Sequence, residues 1–438
     1  LPLFAYVDHR GHSNRITLIV DAPAHRTLVS THRPRTLAWT AQGAWLATLL
    51  ARQCGRPICD RPAPTKDGST LHQAASGQTV SCGRVAIIGA GVAGLGCART
   101  LRNHGVDVVV FDKGRSAGGR LASHRSGDFD ADVGAPYFTI REEGFGREVQ
   151  SWLAAGVVAS WPARVLSLPS AGAKLVETPA VARYVAVPTM SALARHLSRD
   201  IAVQTSHRVD EIDLRDGRFI LSGVVGAAGT TLGPRDPGRP ENLQPMGEFD
   251  TVVVCLPADQ AHPLVRRVHP ALADAVAQVR CEPCLALAFV PKGDVLRHLP
   301  CDGVFFGRDG DADRTVAWLC RESSKPGRRD DDTWVLHADS AWSQLHLRDP
   351  DEDVQAALLG ALSRWLAISP FAAQSATLRR WAFARGPSQQ ASGPLWDAAL
   401  RLGVGGDWTL GGRIEGAYSS GVALAGRVLG REQSMAGV

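Results

Sequence analysis

Arg84-Val-Ala-Ile-Ile-Gly-Ala-Gly-Val-Ala-Gly-Leu-Gly96, followed by Val106-Asp-Val-Val-Val-Phe-Asp112, is the stretch from which the rest of the chain can be read. Val85 to Ile88 is a short, unbroken apolar run, mostly β-branched, which suits a strand buried on both faces of a parallel sheet. Gly89, Gly91 and Gly94 then give G-x-G-x-x-G, and Gly94 to His104 has the pattern of a helix. Such glycines serve a tight turn, a close approach of backbone to pyrophosphate, and close helix–strand packing. An anion would sit on the N-terminus of that helix, beside Ala90, Val92 and Ala93, where free N–H groups and the dipole favour negative charge. Val106 to Phe111 reads as a second strand, and Asp112, 18 residues beyond Gly94, is placed to accept hydrogen bonds from a ribose diol. A lone glycine triplet would mean only a turn. Strand, glycines, helix, strand and terminal acid in this order predict a dinucleotide-binding βαβ unit.

The remaining composition sets limits. A length of 438 residues predicts two or three domains, and 45% apolar with 21% charged residues is ordinary for a globular enzyme. No run reaches the roughly 18 apolar residues that span a bilayer, so no transmembrane segment is expected. The net charge of +5 resides in residues 1–79, with nine Lys and Arg against four Asp, and the rest holds 39 of each sign. Nothing there suggests a nucleic-acid surface. Nine cysteines without a regular framework favour reduced thiols and a cytoplasmic protein. Cys281 and Cys284 form a C-x-x-C against the apolar run Leu285 to Val290, with no second pair to complete a metal site, so core packing is expected of them and no metal.

Residues 1–79 are poorly patterned and contain no Glu. Arg33, Arg35 and the moderately apolar Leu37 to Leu50 faintly suggest a targeting segment, but they lie well inside the chain. With no Met before Met190, an extension ahead of a working start near Val80 is the simpler expectation. After Asp112, Lys113 leads to Gly118-Gly-Arg120, whose backbone donors and guanidinium suit a second approach to phosphate. Gly223 to Pro240 is rich in Gly and Pro with no helix pattern following, which predicts a surface insertion and leaves one nucleotide fingerprint in the chain. Near the carboxyl end, Leu402-Gly-Val-Gly-Gly-Asp-Trp408 and Gly411-Gly-Arg-Ile-Glu-Gly-Ala417 lead into an apolar helix, Val422 to Leu429.

The fingerprint, then Val110-Phe-Asp-Lys-Gly-Arg-Ser-Ala-Gly-Gly-Arg-Leu-Ala-Ser-His-Arg125, then Phe129-Asp-Ala-Asp-Val-Gly-Ala-Pro-Tyr-Phe-Thr139, resembles the opening of the FAD-dependent renalase-like oxidoreductases. These lie within the wider amine-oxidase and protoporphyrinogen-oxidase type of flavoprotein. The resemblance runs along most of 84–430, through Arg183 to Arg195, Val203 to Ile212, Phe249 to Pro257, Trp318 to Arg328 and Trp334 to Ala338. It implies an α/β fold in which a Rossmann-like FAD-binding domain (80–135, 195–262 and 396–438) is interleaved with an α+β substrate domain (136–194 and 263–395) built on a mixed sheet. It implies that Gly119 and Arg120 approach the cofactor, that Val209 meets adenine through its backbone, and that Gly406 and Asp407 meet the ribityl or pyrophosphate region. The helix starting near Glu415, Gly416 and Ala417 would lie against the flavin ring, where its N-terminus favours a reduced, negatively charged flavin. Pro136 stands where a polar residue is expected and Leu285 where an aromatic is expected, and both would border the substrate.

The implied reaction is hydride transfer from a small reduced substrate to flavin N5, with oxygen as electron acceptor. The renalase-like form would take a dihydronicotinamide, a reduced nicotinamide nucleotide; the amine-oxidase form would take a small amine. A non-catalytic FAD-binding protein is the rival from another class. No obligatory nucleophile stands out, and the expected pocket residues are Tyr137, Trp318, Lys325, Trp381, Phe383 and Tyr418. Lys325, Tyr137 and Trp318 are the candidates nearest the chemistry, since enzymes of the amine-oxidase type can place a lysine near N5.

Overall fold

The computed structural model describes residues 83–226, 243–307, 314–387 and 393–431, and the backbone of three strands nearer the amino end. Those strands, Leu3–Asp8, Arg15–Ala22 and His25–Thr31, pair as an antiparallel meander within a compact unit of their own. Sequence patterning gave no element there. The β-branched residues of Ile16-Thr-Leu-Ile-Val20 supply the strand preference that the polar surroundings masked. The rest of 1–79, including Leu37 to Leu50, and most of the 223–240 insertion lie outside the described residues.

The main unit is built on two sheets. In the first, five parallel strands run in the order Ala202–Gln204, Asp107–Phe111, Arg84–Ile88, Thr251–Val254, Leu402–Val404, and the antiparallel Leu395–Asp397 closes one edge. The apolar runs are explained by coverage of both faces. Val85, Ile87, Val108, Val110 and Val253 pack under the helices Val92–Asn103 and Ile414–Val428. Their alternates Ala86, Ile88, Val109, Phe111, Val252 and Val254 face a second core, shared with the antiparallel meander His207–Arg215, Arg218–Val225, Gln244–Phe249 and the helix Ala258–Arg266. The stretch Val203 to Ile212, for which the resemblance implies one strand, is divided between two: Ala202–Gln204 ends the parallel sheet, and the chain turns at Ser206, in the left-handed region, to open the meander.

The second sheet has seven strands in the order Val176–Glu177, Val165–Leu168, Gly303–Phe306, Val316–Arg321, Trp334–Ala338, Glu282–Pro291, Ala373–Arg385, mixed because Val165–Leu168 and Gly303–Phe306 run parallel. One face, with Leu285, Leu287, Phe289, Leu319, Trp334 and Leu336, is covered by the helix Asp351–Leu366 through Val354, Leu358, Leu362 and Trp365. The opposite face carries Trp318 and Cys320 into the core of the first sheet's helices. Thus Trp318 and Trp334, both on this sheet as expected, point to opposite sides. Leu285 is fully buried on the helix-covered side, which removes it from the substrate border where the sequence had put it. Among the described residues no helix is long and apolar enough to cross a membrane.

The two long helices of the first sheet touch at glycine. A Cβ at Gly421 would stand 2.0 Å from the carbonyl oxygen of Ala93, so one helix must retreat to admit even a methyl group. Gly421→Ala is therefore expected to destabilise the fold by about 1–3 kcal/mol, as overpacking does, measured by denaturant unfolding; an unchanged midpoint would contradict this packing.

Candidate active site

The cradle at the carboxyl edge of the first sheet is built mainly from backbone. Gly89 (φ +106°) leaves the Arg84–Ile88 strand in the left-handed half of the map, and a side chain there would strike the Cys255 carbonyl at 2.4 Å. At Gly94 a Cβ would lie 1.9 Å from the Gly89 carbonyl oxygen, so strand and helix close up only over hydrogen. Gly91 is different, because a Cβ there would meet nothing within 4 Å. That open space faces the start of the Val92–Asn103 helix and is the room a pyrophosphate needs. The Cα of Gly91 lies 3.7 Å from where a Gly119 Cβ would stand, so the Gly118-Gly-Arg120 turn borders the same space. Gly118 donates to the carbonyl of Ala90 at 2.8 Å.

Asp112 ends the second strand and accepts N–H bonds from Ala90 and Gly114, each at 2.7 Å. His207 donates to the Asp112 carbonyl at 2.9 Å, which brings the first meander strand and Val209, two residues on and buried, beside this acid. Burial lowers the pKa of Lys113 and the adjacent Asp112 partly offsets it. On the other side of the cradle Arg120 forms a two-pronged pair with Asp407, at 2.6 and 3.0 Å, and also donates to the Ala384 carbonyl. Burial opposes the charge of Arg120, and Asp407 more than restores it. Gly406 (φ +158°) precedes this acid, and Gly386 donates to Asp407 at 3.3 Å. Glu415, in the first turn of the Ile414–Val428 helix, is buried; its Oε1 accepts the backbone N–H groups of Arg141 and Glu142 at 2.8 Å each. Its Oε2 faces the Nε of Arg413 at 4.0 Å as an ion pair, without a hydrogen bond from either atom. Ala417 is buried two residues further on, and at Gly416 a Cβ would stand 2.3 Å from the Leu410 carbonyl oxygen. A glycine cradle with open space at Gly91, a buried ion pair that lacks hydrogen bonds and a helix N-terminus together fit a dinucleotide with hydroxylated and anionic parts.

Between the two sheets lies a buried ion cluster. Asp132 receives Arg328 Nη2 at 2.5 Å, Lys325 Nζ at 3.3 Å, Ser123 Oγ at 2.8 Å and the Met190 N–H at 2.9 Å. Glu322 takes the other side of Lys325 and accepts the Asp132 N–H at 2.9 Å. Burial alone would raise the Asp132 carboxyl, but Lys325 and Arg328 hold it below its ordinary value. Lys325, a candidate from sequence, is thus enclosed between two carboxylates, with its ammonium 5.8 Å from the centre of the Trp161 ring.

The other candidates are brought together in part. Tyr137 packs against Trp161 and Trp318 at 5.7 Å from each, and Phe305 lies 4.4 Å from Trp318. Burial raises the Tyr137 phenol, and the neighbouring Arg183 works against it. Trp381 donates to the Val133 carbonyl at 2.6 Å, and Phe383 follows two residues along the same strand. Tyr418 does not join them: it is buried among Phe145, Trp152 and Gly96, between helices. Cys281 and Cys284 are free thiols pushed up to about 12 by burial, which keeps them protonated. Among the described residues no His, Cys, Asp and Glu group could hold a metal.

Sequence reading passed over Arg183, His337 and Arg379. Across the second sheet, Phe305 stands opposite Trp318, Trp318 opposite His337, His337 opposite Ala286, and Ala286 opposite Arg379. Paired residues share a face, so these form one row on the side turned to the first sheet. The signal was in the sequence, as alternation in each strand, but the register that aligns five strands was not.

Family models match the chain twice: an NAD(P)-binding Rossmann-like domain over 87–155 and the flavin-containing amine oxidoreductases over 140–429. The chain belongs to the flavin-containing amine oxidoreductase family, and it is an FAD-dependent oxidoreductase, the cradle accommodating the dinucleotide form of the flavin. It is 42% identical over 57 residues to a Drosophila melanogaster protein named a possible lysine-specific histone demethylase 1, a match spanning 13% of this chain and 6% of that protein. It is 45% identical over 62 residues to the mitochondrial protoporphyrinogen oxidase of Nicotiana tabacum, 14% of this chain and 12% of that one. Both matches thus span a small part of the relatives' length. In fold it is similar to a candidate protoporphyrinogen oxidase of Exiguobacterium sp. 255-15 (TM-score 0.59, 12% identity, 80% of this chain and 99% of that). A putrescine oxidase double mutant gives TM-score 0.57 at 11% identity, with the same coverage.

Two substitutions separate the cradle's structural and binding glycines. Gly91→Ala is expected to leave the unfolding midpoint of the apoprotein unchanged while weakening FAD binding by about tenfold or more, since the methyl group fills only the phosphate space; Gly94→Ala should lose the fold itself. Equal FAD affinity in Gly91→Ala, read by flavin fluorescence on titration, would refute the placement. In the ion cluster, Lys325→Met should cost about 3–5 kcal/mol in denaturant unfolding, because it leaves two buried carboxylates facing Arg328 alone.

Proposed function

We propose that the protein oxidises a small, planar hydride donor of the dihydronicotinamide type, a reduced nicotinamide nucleotide, with oxygen as acceptor. The observation that carries this reading is the aromatic cluster of Tyr137, Trp161, Trp318 and Phe305, whose ring centres stand 4.4 to 5.7 Å apart. Such a wall orients a flat ring by its face and edge. When bound, FAD accepts the hydride and passes the electron pair on. In overall balance the donor gives up a hydride, and that hydride with one proton reduces oxygen to hydrogen peroxide.

The chain's residues then act by binding and orientation. Gly89, Ala90, Gly91, Val92, Ala93 and Gly94 would hold the pyrophosphate, with Asp112 and Lys113 at the ribose and Val209 at adenine. Gly119 and Arg120, the latter steadied by Asp407 next to Gly406, would hold the far side. Glu415, Gly416 and Ala417 would set the helix N-terminus at the ring, where partial positive charge favours the reduced anion. Tyr137 and Trp318 would line the substrate. Lys325 is a positioning residue in this reading, since Asp132 and Glu322 occupy its ammonium. A domain division at 80–135, 195–262 and 396–438 against 136–194 and 263–395 would put the reaction between the two sheets. Free thiols at the six described cysteines support a reducing, cytoplasmic setting.

A small amine is the second reading, favoured by family membership. Anaerobic mixing of the purified holoprotein with a dihydronicotinamide or with putrescine separates the cases. Bleaching of the flavin band by the dihydronicotinamide is expected. Bleaching by the amine alone would replace the first reading with the second, and a yellow protein inert to both would be a non-catalytic FAD-binding protein.

A further inference from the structure

The row Phe305, Trp318, His337, Ala286, Arg379 carries polar atoms without partners. Trp318 is 5% exposed and its Nε1 has no acceptor. Arg379 Nε and His337 Nε2 are likewise buried and unpartnered. Arg183, 7% exposed, sits 5.4 Å over the Tyr137 ring, beside Trp318, and its Nε is unpartnered too. Indole and guanidinium N–H groups can only donate. A buried donor without an acceptor costs about 1–3 kcal/mol, so the three obligate donors of Trp318, Arg183 and Arg379, the first two at the aromatic cluster and the third further along the row, indicate a ligand that brings acceptors.

The charges around them that have no ion-pair partner are of one sign. Arg183 and Arg379 have no ion-pair partner among the described residues, and Arg115 and Lys113 add positive potential near Arg379. The nearby carboxylates are already committed: Asp132 to Lys325 and Arg328, Glu322 to Lys325, Asp407 to Arg120, and Glu415 to Arg413 at 4.0 Å. Burial, with Lys325 and Arg385 adding to it, lowers the His337 pKa to about 4, so that ring is neutral at ordinary pH. A protonated amine entering over this face would meet cations and indole donors and no free carboxylate.

Resting on the reading that substrate is oxidised between the two sheets, we infer that the face formed by Trp318, Arg183, His337 and Arg379 selects flat molecules bearing a carboxylate, carboxamide or phosphate acceptor and rejects cationic amines. Trp318 and Arg183 are the specificity-determining donors, and Tyr137 provides the stacking surface between them.

Benzoate and benzylamine share a ring and differ in the sign of their charge, so their binding to the holoprotein, followed by the shift of the flavin band, tests this without turnover. Benzoate should bind at least about tenfold more tightly than benzylamine, the scale of one charged hydrogen bond. Trp318→Phe and Arg183→Gln should each weaken benzoate several-fold with FAD content and benzylamine affinity unchanged, and Arg183→Lys should recover part of the loss. Benzylamine binding as tightly as benzoate, binding by neither, or benzoate affinity indifferent to both variants would overturn the inference. If Arg183→Gln fails to fold, Trp318→Phe and the two ligands still decide. Failure of the flavin to bleach with a dihydronicotinamide would remove the reaction proposed above while leaving this charge preference measurable.

Discussion

Asp132 is the point through which the two halves of the main unit are held to one another. It gathers Ser123 from the turn after Arg120, the N–H of Met190 at the start of the Ser191–Leu197 helix, and Lys325 and Arg328 from the turn after the Trp318 strand. These partners come from three separate segments, and Glu322 closes the ring by accepting the Asp132 N–H. Burying two carboxylates is unfavourable by itself. Two cations and several N–H and O–H donors compensate it only in one geometry, so the cluster fixes the position of the 130–135 loop between cradle and substrate sheet. That loop continues into Gly134 and Ala135, which donate to the carbonyls of Ala122 and Arg120 at 3.1 and 2.9 Å. From there it reaches Tyr137. The alignment of the aromatic cluster with the cofactor cradle depends on this charge balance.

The two sides of the site are made by different physics. The cradle is backbone, shaped by where a Cβ cannot go: at Gly89 and Gly94 the chain itself fills the space, and at Gly91 the space stays open. The opposite wall is side chain, and its character follows from the pairing of five strands. A slip of one residue in the Val316–Arg321 strand would turn Trp318 to the helix-covered face. The bulge between Val316 and Trp318 is compatible with this requirement, because it changes the alternation just before the residue that must face inward.

This difference explains what could be read in advance. Glycine spacing, the strand runs and Asp112 announce the cradle because their constraints are local: φ, close approach and burial act within about thirty residues, the span of a βαβ unit. Arg120 and Asp407 were both picked out, but their mutual pairing across 287 positions was invisible. Lys325 attracted notice as a lysine in a catalytic context, although Asp132 and Glu322, the residues that take up its charge, lie 193 and 3 positions away. Tyr418 was grouped with the pocket aromatics because residue type does not reveal which face of the final helix it occupies. The break at Ser206 was missed because Gln204-Thr-Ser-His-Arg208 contains no Gly or Pro to mark a turn, while one left-handed residue redirects the chain.

Family membership and shared fold leave the substrate open, because function resides in the site placed on the fold. In this chain the property that bears on substrate is the assignment of charge. The interior between the sheets contains both signs, and Asp132, Glu322, Asp407 and Glu415 are each paired with a cation, whereas Arg183 and Arg379 have no ion-pair partner among the described residues. An interior that spends its acids on holding its own segments together has none left to receive a cationic ligand. The same Asp132 cluster that aligns the two sheets therefore also sets the electrostatic character of the space between them, so that architecture and selectivity arise from one set of buried charges.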